Sequence, residues 1–111
     1  MFDESRTTAA VLEHPDVSGL SLTEVLAALG DPVRLSIVAS LAACVDELPC
    51  SAIEIPVAKS TGTHHFRVLR EAGVIRQRIV GTTRLTSLRR EELDARFPGL
   101  LDAVLAGAPR S

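Results

Sequence analysis

The sequence predicts a mainly α-helical domain carrying one small β-hairpin, and three observations support this reading. Four segments space their apolar residues helically, at 21–30, 31–43, 59–73 and 90–107. Two short runs with β-branched residues, VIRQRIV and RLTSL, flank Gly81-Thr82-Thr83. The positive charge is concentrated in the part of the chain that holds the third helix and the hairpin. A chain of 111 residues fits one domain, and 46% hydrophobic content opposes disorder. With three Phe and no Trp or Tyr, its core must be aliphatic.

Residues 1–19 lack a clear period and read as a flexible or partly helical arm. The first helix starts at Ser21, an N-cap candidate with Glu24 three residues on, and ends at Gly30. Leu22, Val25, Leu26 and Leu29 share one of its faces. Asp31-Pro32 is a second start, an N-cap followed by proline at the first helical position. Val33, Leu35, Ile37, Val38 and Leu41 then make a largely apolar, central helix running to about Ala43. Pro49 and Pro56 leave room only for a short helix near residues 50–55. The third long helix has Ser60 or a neighbour as its cap and Gly73 as its C-terminal glycine. Beyond the hairpin, Leu93, Phe97, Leu100, Leu101, Val104 and Leu105 are spaced helically, with Pro98-Gly99 kinking or dividing the helix. The working domain is thus 20–106, with a short tail at 107–111.

Charge is segregated along the chain. Residues 1–58 hold nine acids and two Arg, a net of −7; residues 59–90 hold eight Lys/Arg and one Glu, a net of +7; residues 91–111 hold four acids and two Arg, a net of −2. The formal net of −2 hides this field. No run approaches the roughly 20 apolar residues of a membrane span, and MFDESRTTAA is acidic where a signal peptide is basic, so a cytoplasmic location without membrane association is expected.

The helix from 59 to 73 gathers Thr63, His64, Arg67 and Glu71 on one face, with Arg70 at its margin, and Gly62, His65, Phe66, Leu69 and Ala72 on the other. Hydroxyl, imidazole and guanidinium groups projecting from an N-terminal half suit a DNA major groove. An ordinary amphipathic surface helix has the same polarity. The hairpin favours the groove reading, because Arg76 and Arg78 alternate with Ile75 and Ile79 and so give a strand with a basic face, although exposed strands also carry Arg to discourage edge pairing.

ALGDPVRLSIVASLA at 28–42, KSTGTHHFRVLREAGVI at 59–75 and IRQRIVGTTRLTSL at 75–88 together resemble the arsenic-repressor (ArsR) family of winged helix-turn-helix regulators. The resemblance implies a winged helix-turn-helix fold, a homodimer joined through its first and last helices, and repression at a pseudo-palindromic operator in double-stranded DNA. On the matching positions it implies DNA contacts from Lys59, Ser60, Thr63, His64 and Arg67, and from Arg78, Thr82, Thr83 and Arg84 of the wing. Dimer contacts would come from Leu22, Val25, Leu26, Leu29, Leu93, Phe97, Leu100, Leu101 and Val104. Two departures stand out. The family's Cys-x-Cys-Asp metal element is here Leu48-Pro49-Cys50-Ser51-Ala52, and residues 88–111 contain no His, so neither family metal site is expected and no cofactor is implied. Pro56 also shortens the helix before residue 59.

Cys44 and Cys50 bracket an acidic loop, and three readings stand open for them: inert packing, a redox switch, or soft-metal binding. The signal is therefore thiol-based, of another kind, or absent. His64 and His65 diverge by about 100° and cannot grip one ion as an i, i+4 pair could. His65 is expected to bond a neighbouring backbone group, Arg34 to make a structural salt bridge, and His14 has no evident partner in the sequence. No phosphate-binding loop, nucleophile with a base, or inward carboxylate pair marks an enzyme. The reading from a different class is a winged-helix module that binds an acidic partner protein instead of DNA.

Overall fold

The computed structural model describes residues 10–11, 14–44, 47–49, 52–53 and 55–108. The order is β1 (Ala10–Val11), a 3-10 turn (Val17–Gly19), α1 (Leu22–Leu29), α2 (Pro32–Ala42), β2 (Leu48–Pro49), α3 (Lys59–Ala72), β3 (Ile75–Val80), β4 (Thr83–Leu88), α4 (Arg90–Arg96) and α5 (Leu100–Gly107). The architecture is mainly helical with a small antiparallel sheet, an arrangement compatible with a winged helix-turn-helix. The short helix expected near residues 50–55 falls mostly on positions outside the described set, as does Cys50.

The helix boundaries follow the local chemistry. Ser21 Oγ accepts the Glu24 N–H at 3.4 Å, and Asp31 Oδ2 accepts from the N–H groups of Val33 and Arg34 at 2.9 and 3.1 Å. Those backbone bonds, the Arg34 N–H foremost, hold the Asp31 carboxyl below its ordinary range. At the N-terminus of α3 the cap is Ala58, which offers no side-chain acceptor, so Ser60 lies in the first turn and is not the cap. Gly73 ends α3 at φ +88, and a Cβ there would also collide with Leu20 Cδ2. Both facts require glycine. The final helical run is divided at Pro98-Gly99 into α4 and α5.

Strands β3 and β4 pair from Ile75↔Leu88 to Val80↔Thr83, so the turn is Gly81-Thr82 and Thr83 already belongs to the strand. Gly81 supplies the positive φ of +63 that a two-residue hairpin turn needs. Two strands that periodicity did not foretell extend this hairpin into a sheet of order β1-β3-β4-β2. β1 pairs antiparallel with β3 from within the arm, and β2 pairs antiparallel with β4 from the segment containing Pro49. At two residues each they are too short to show a period. Their effect is to cover both hairpin edges, and Pro49 is tolerated because its strand is the outermost.

The core joins Val25 and Leu29 of α1, Ile37, Val38 and Leu41 of α2, Phe66 and Leu69 of α3, Val74 and Ile75, Leu93 of α4 and Leu101 of α5. It is aliphatic apart from Phe66. Truncating a fully buried member such as Leu69 to alanine is expected to cost about 2–5 kcal/mol. Among the described residues no single helix is long and apolar enough to cross a membrane.

Candidate nucleic-acid interface

Helix α3 sorts its side chains by polarity. Gly62, His65, Phe66, Leu69 and Ala72 are buried, while Lys59, Ser60, Thr63, His64, Arg67 and Glu71 are exposed. The outward face therefore displays the candidate reading residues together. The first turn contains no acidic residue and no side-chain cap, so its free N–H groups and Lys59 favour an anion such as a phosphate. Thr63 Oγ1 donates to the Lys59 carbonyl at 3.0 Å, leaving the hydroxyl's lone pairs to accept from an incoming donor.

Three side chains, the half-buried Arg70 and the buried Gln77 and Thr86, set the hairpin's position against α3. Arg70 Nη1 donates to Gln77 Oε1 at 2.9 Å, and Gln77 Nε2 donates to Thr86 Oγ1 at 3.2 Å, linking the helix to both strands. Gln77 and Thr86 are fully buried. The Gln77 N–H donates to His14 Nε2 at 2.9 Å, so the arm is fastened to the same point and His14 has a partner after all. Gln77 could have been found in the sequence. It occupies the inward parity of β3 between Ile75 and Ile79, where a polar residue needs a bonding partner.

A second cluster fixes the buried face of α3. Arg34 Nε donates to the Ala28 carbonyl at 2.6 Å, Nη2 donates to the Ala27 carbonyl at 3.4 Å, and Nη1 donates to His65 Nδ1 at 3.1 Å. Arg34 therefore completes the C-terminus of α1 in place of the expected carboxylate pairing. His65, for its part, bonds a side chain and not a backbone group. Asp31 Oδ2 lies 3.9 Å from the same imidazole nitrogen. The recognition-type helix is thus bolted to the α1–α2 corner through one guanidinium.

The basic residues of the hairpin and beyond it fare unequally. Arg78, expected to follow the DNA backbone, instead makes a two-pronged pair with Glu47, Nε and Nη2 each 2.7 Å from a carboxylate oxygen. That pairing holds the Glu47 carboxyl below its ordinary range. Arg76 donates to both oxygens of Glu92 at 3.2 Å, and the buried Arg89 grips the same carboxylate at 2.9 Å through Nε and Nη2. Arg90 pairs with Asp102 and, at 3.8 Å, with Asp94. Among the described residues Lys59, Arg67 and Arg84 make no ion pair. Thr82 and Thr83 are exposed at the hairpin tip, and Arg84 is half-buried.

Lys59, Thr63, Thr82, Thr83 and Arg84 border one open groove of about 540 Å³ between α3 and the hairpin tip. Five of the candidate DNA residues thus share one surface. Ser60, His64 and Arg67 continue it along α3, whereas Arg78 is held by Glu47.

The proposed dimer residues also divide. Val25, Leu29, Leu93 and Leu101 lie in the protomer's own core and are not available to a second copy in this conformation. Leu22 and Leu26 are each 45% exposed, one turn apart on α1. Phe97, Leu100 and Val104 are half-buried. Cys44 is a free, exposed thiol. Among the described residues no three of His, Cys, Asp and Glu gather as metal ligands. The rings of His64 and His65 stand 5.8 Å apart and tilted by 54°, on opposite sides of the exposed and buried boundary.

No family model matches the sequence. Over 83 residues, 73% of the chain and 83% of its counterpart, it is 32% identical to the uncharacterized HTH-type transcriptional regulator YceK of Bacillus subtilis (strain 168). An exposed, acid-free helix start beside a hairpin tip is the surface such a regulator would need, and with this relationship the chain belongs to the helix-turn-helix-type transcriptional regulators.

Proposed function

We propose that the chain is a winged helix-turn-helix repressor of ArsR type that binds a pseudo-palindromic operator as a homodimer. The observation that carries this reading is the outward face of α3, where Lys59, Ser60, Thr63, His64 and Arg67 are exposed next to a hairpin tip bearing Thr82, Thr83 and Arg84. In this reading α3 enters the major groove, with Thr63 and His64 on base edges and Lys59 and Arg67 on phosphates. The tip, as the wing, follows the neighbouring backbone through Thr82, Thr83 and Arg84.

The dimer is the less direct part of the proposal. Its support is the exposed pair Leu22 and Leu26, with Phe97, Leu100 and Val104 as half-buried apolar positions of the last two helices. A two-fold dimer would set two α3 helices against half-sites about one helical turn apart.

The test is fluorescence anisotropy of the chain on a duplex from its own promoter and on a shuffled duplex, repeated across a salt series. The expected result is tighter binding to the promoter and a log affinity that falls linearly with log salt. Equal binding to both duplexes removes the operator-binding reading. Analytical ultracentrifugation of Leu22→Asp and Leu26→Asp, each expected to shift a dimer to monomer, checks the assembly separately.

A further inference from the structure

The groove between α3 and the hairpin tip is more than a place for a phosphate. Its lining includes Ile53, Ile55, Val57 and Phe66, which are hydrophobic, and Lys59 and Arg84, which are cationic. Its described lining contains no carboxylate. A volume of about 540 Å³ lies in the range that small-molecule sites occupy, roughly 300–1,000 Å³. A purely hydrophilic anion would leave the apolar wall against water, and a neutral hydrocarbon would leave two cations without a counter-charge. The chemistry that matches both halves is an organic anion with an aliphatic tail.

We propose that this groove is an effector site for an amphipathic monocarboxylate, whose tail lies on the Ile53, Ile55, Val57 and Phe66 wall and whose head meets Lys59 and Arg84. Because Lys59, Thr63, Thr82, Thr83 and Arg84 are also the proposed DNA contacts, the occupant excludes DNA from the same surface. The binding half depends only on the groove. The exclusion half rests on the operator-binding reading above. Release of DNA then needs no signal carried across the molecule, since ligand and phosphates compete for the same two cations.

The experiment uses the whole chain with ¹³C-methyl isoleucine, titrated with octanoate below its micellar concentration, and with hexanoate, octan-1-ol and octylamine as controls. Octanoate is expected to shift the Ile53 and Ile55 methyl signals and leave that of the core residue Ile37 in place. Removal of two methylenes, from octanoate to hexanoate, is expected to weaken binding about tenfold. Octan-1-ol and octylamine should each bind at least tenfold more weakly than octanoate, and Lys59→Gln with Arg84→Gln should weaken octanoate by at least tenfold. Unmoved Ile53 and Ile55 methyls, equal binding of octan-1-ol, or an unaffected double variant would each overturn the site. A second arm adds octanoate to a complex with labelled promoter duplex and expects dissociation over the range that saturates the methyl shifts. Retained duplex at saturation overturns the exclusion. If the duplex does not bind even without octanoate while the methyl shifts persist, the operator-binding reading falls and the site stands.

Discussion

Apart from Arg70, which bonds Gln77, the basic side chains of residues 59–90 fall into two groups according to what they touch. On one side Lys59, Arg67 and Arg84 have no ion-pair partner among the described residues, and Lys59 and Arg84 border the groove beside α3. On the other, Arg76, Arg78, Arg89 and Arg90 each hold a carboxylate, supplied by Glu47, Glu92, Asp94 or Asp102. The net of +7 counted along the sequence is therefore not the field offered to a phosphate. Acids that lie outside this stretch in sequence return to neutralise one part of it in space. The paired group is held within the chain, and the unpaired group is the one the proposed function assigns to DNA.

The sharpest way to break this division is at Glu92. Its carboxylate takes two bonds from Arg89, whose side chain is only 2% exposed, and two from the exposed Arg76. Glu92→Ala would strand a buried guanidinium, and its expected cost is about 3 kcal/mol, the low end for breaking a buried pair because Glu92 is itself 26% exposed. In a thermal melt that corresponds to a fall of about 10 °C or more. DNA affinity of the folded protein should be unchanged. An unaltered melting temperature would show that the Arg89 pair contributes little to stability.

The unpaired group should respond in the opposite sense. Lys59→Gln and Arg84→Gln are each expected to leave the melting temperature in place, to weaken binding to every duplex about five- to tenfold, and to reduce the salt slope by about 1. Arg78→Gln should leave that slope unchanged, because its guanidinium is already committed to Glu47. A slope that falls as far for Arg78→Gln as for Arg84→Gln would erase the distinction, and would mean that DNA draws Arg78 away from its carboxylate.

The same contrast explains what could be read from the sequence. Ser21, Asp31-Pro32 and Gly73 marked their helix ends because capping is a contact between residues two to four apart. The inside and outside of α3 were also legible, since periodicity is local. What was not legible is who meets whom. Arg78 finds Glu47, and Arg34 finds His65, each across 31 positions, and no spacing rule reaches that far. The strands β1 and β2 escaped for a different reason, being two residues long and defined only by the hairpin they join. The groove was hidden as well. It depends on how Ile53, Ile55 and Val57, from a segment broken by prolines, stand against Phe66.

Within the exposed face of α3, the proposed DNA contacts divide further into positioning and reading. Thr63→Val and His64→Ala are expected to cost about 1 kcal/mol of preference for the promoter over a shuffled duplex, with little change in binding to the shuffled sequence. Competition titrations with the two duplexes give this directly. A uniform loss on both would assign Thr63 and His64 to the backbone, alongside Lys59.

The smallest effect is one of pH, and it returns to the paired group. The bond from Arg78 keeps the Glu47 carboxyl low, and the bonds from Arg89, with Arg76, do the same for Glu92. In the unfolded chain both carboxyls bind a proton near their ordinary value of 4.5, while in the folded protein they do not, so the unfolded state takes up more protons as the pH falls. Stability from these pairs is present above about pH 4.5 and is lost below it, as pH descends through the folded values. Glu47→Gln cannot titrate and should lose a small amount of stability at neutral pH and none in acid, so its denaturation curve and that of the original chain converge as the pH is lowered from 6 to 3. Curves that stay parallel would show that Glu47 acts through packing at β2 and not through its charge on Arg78.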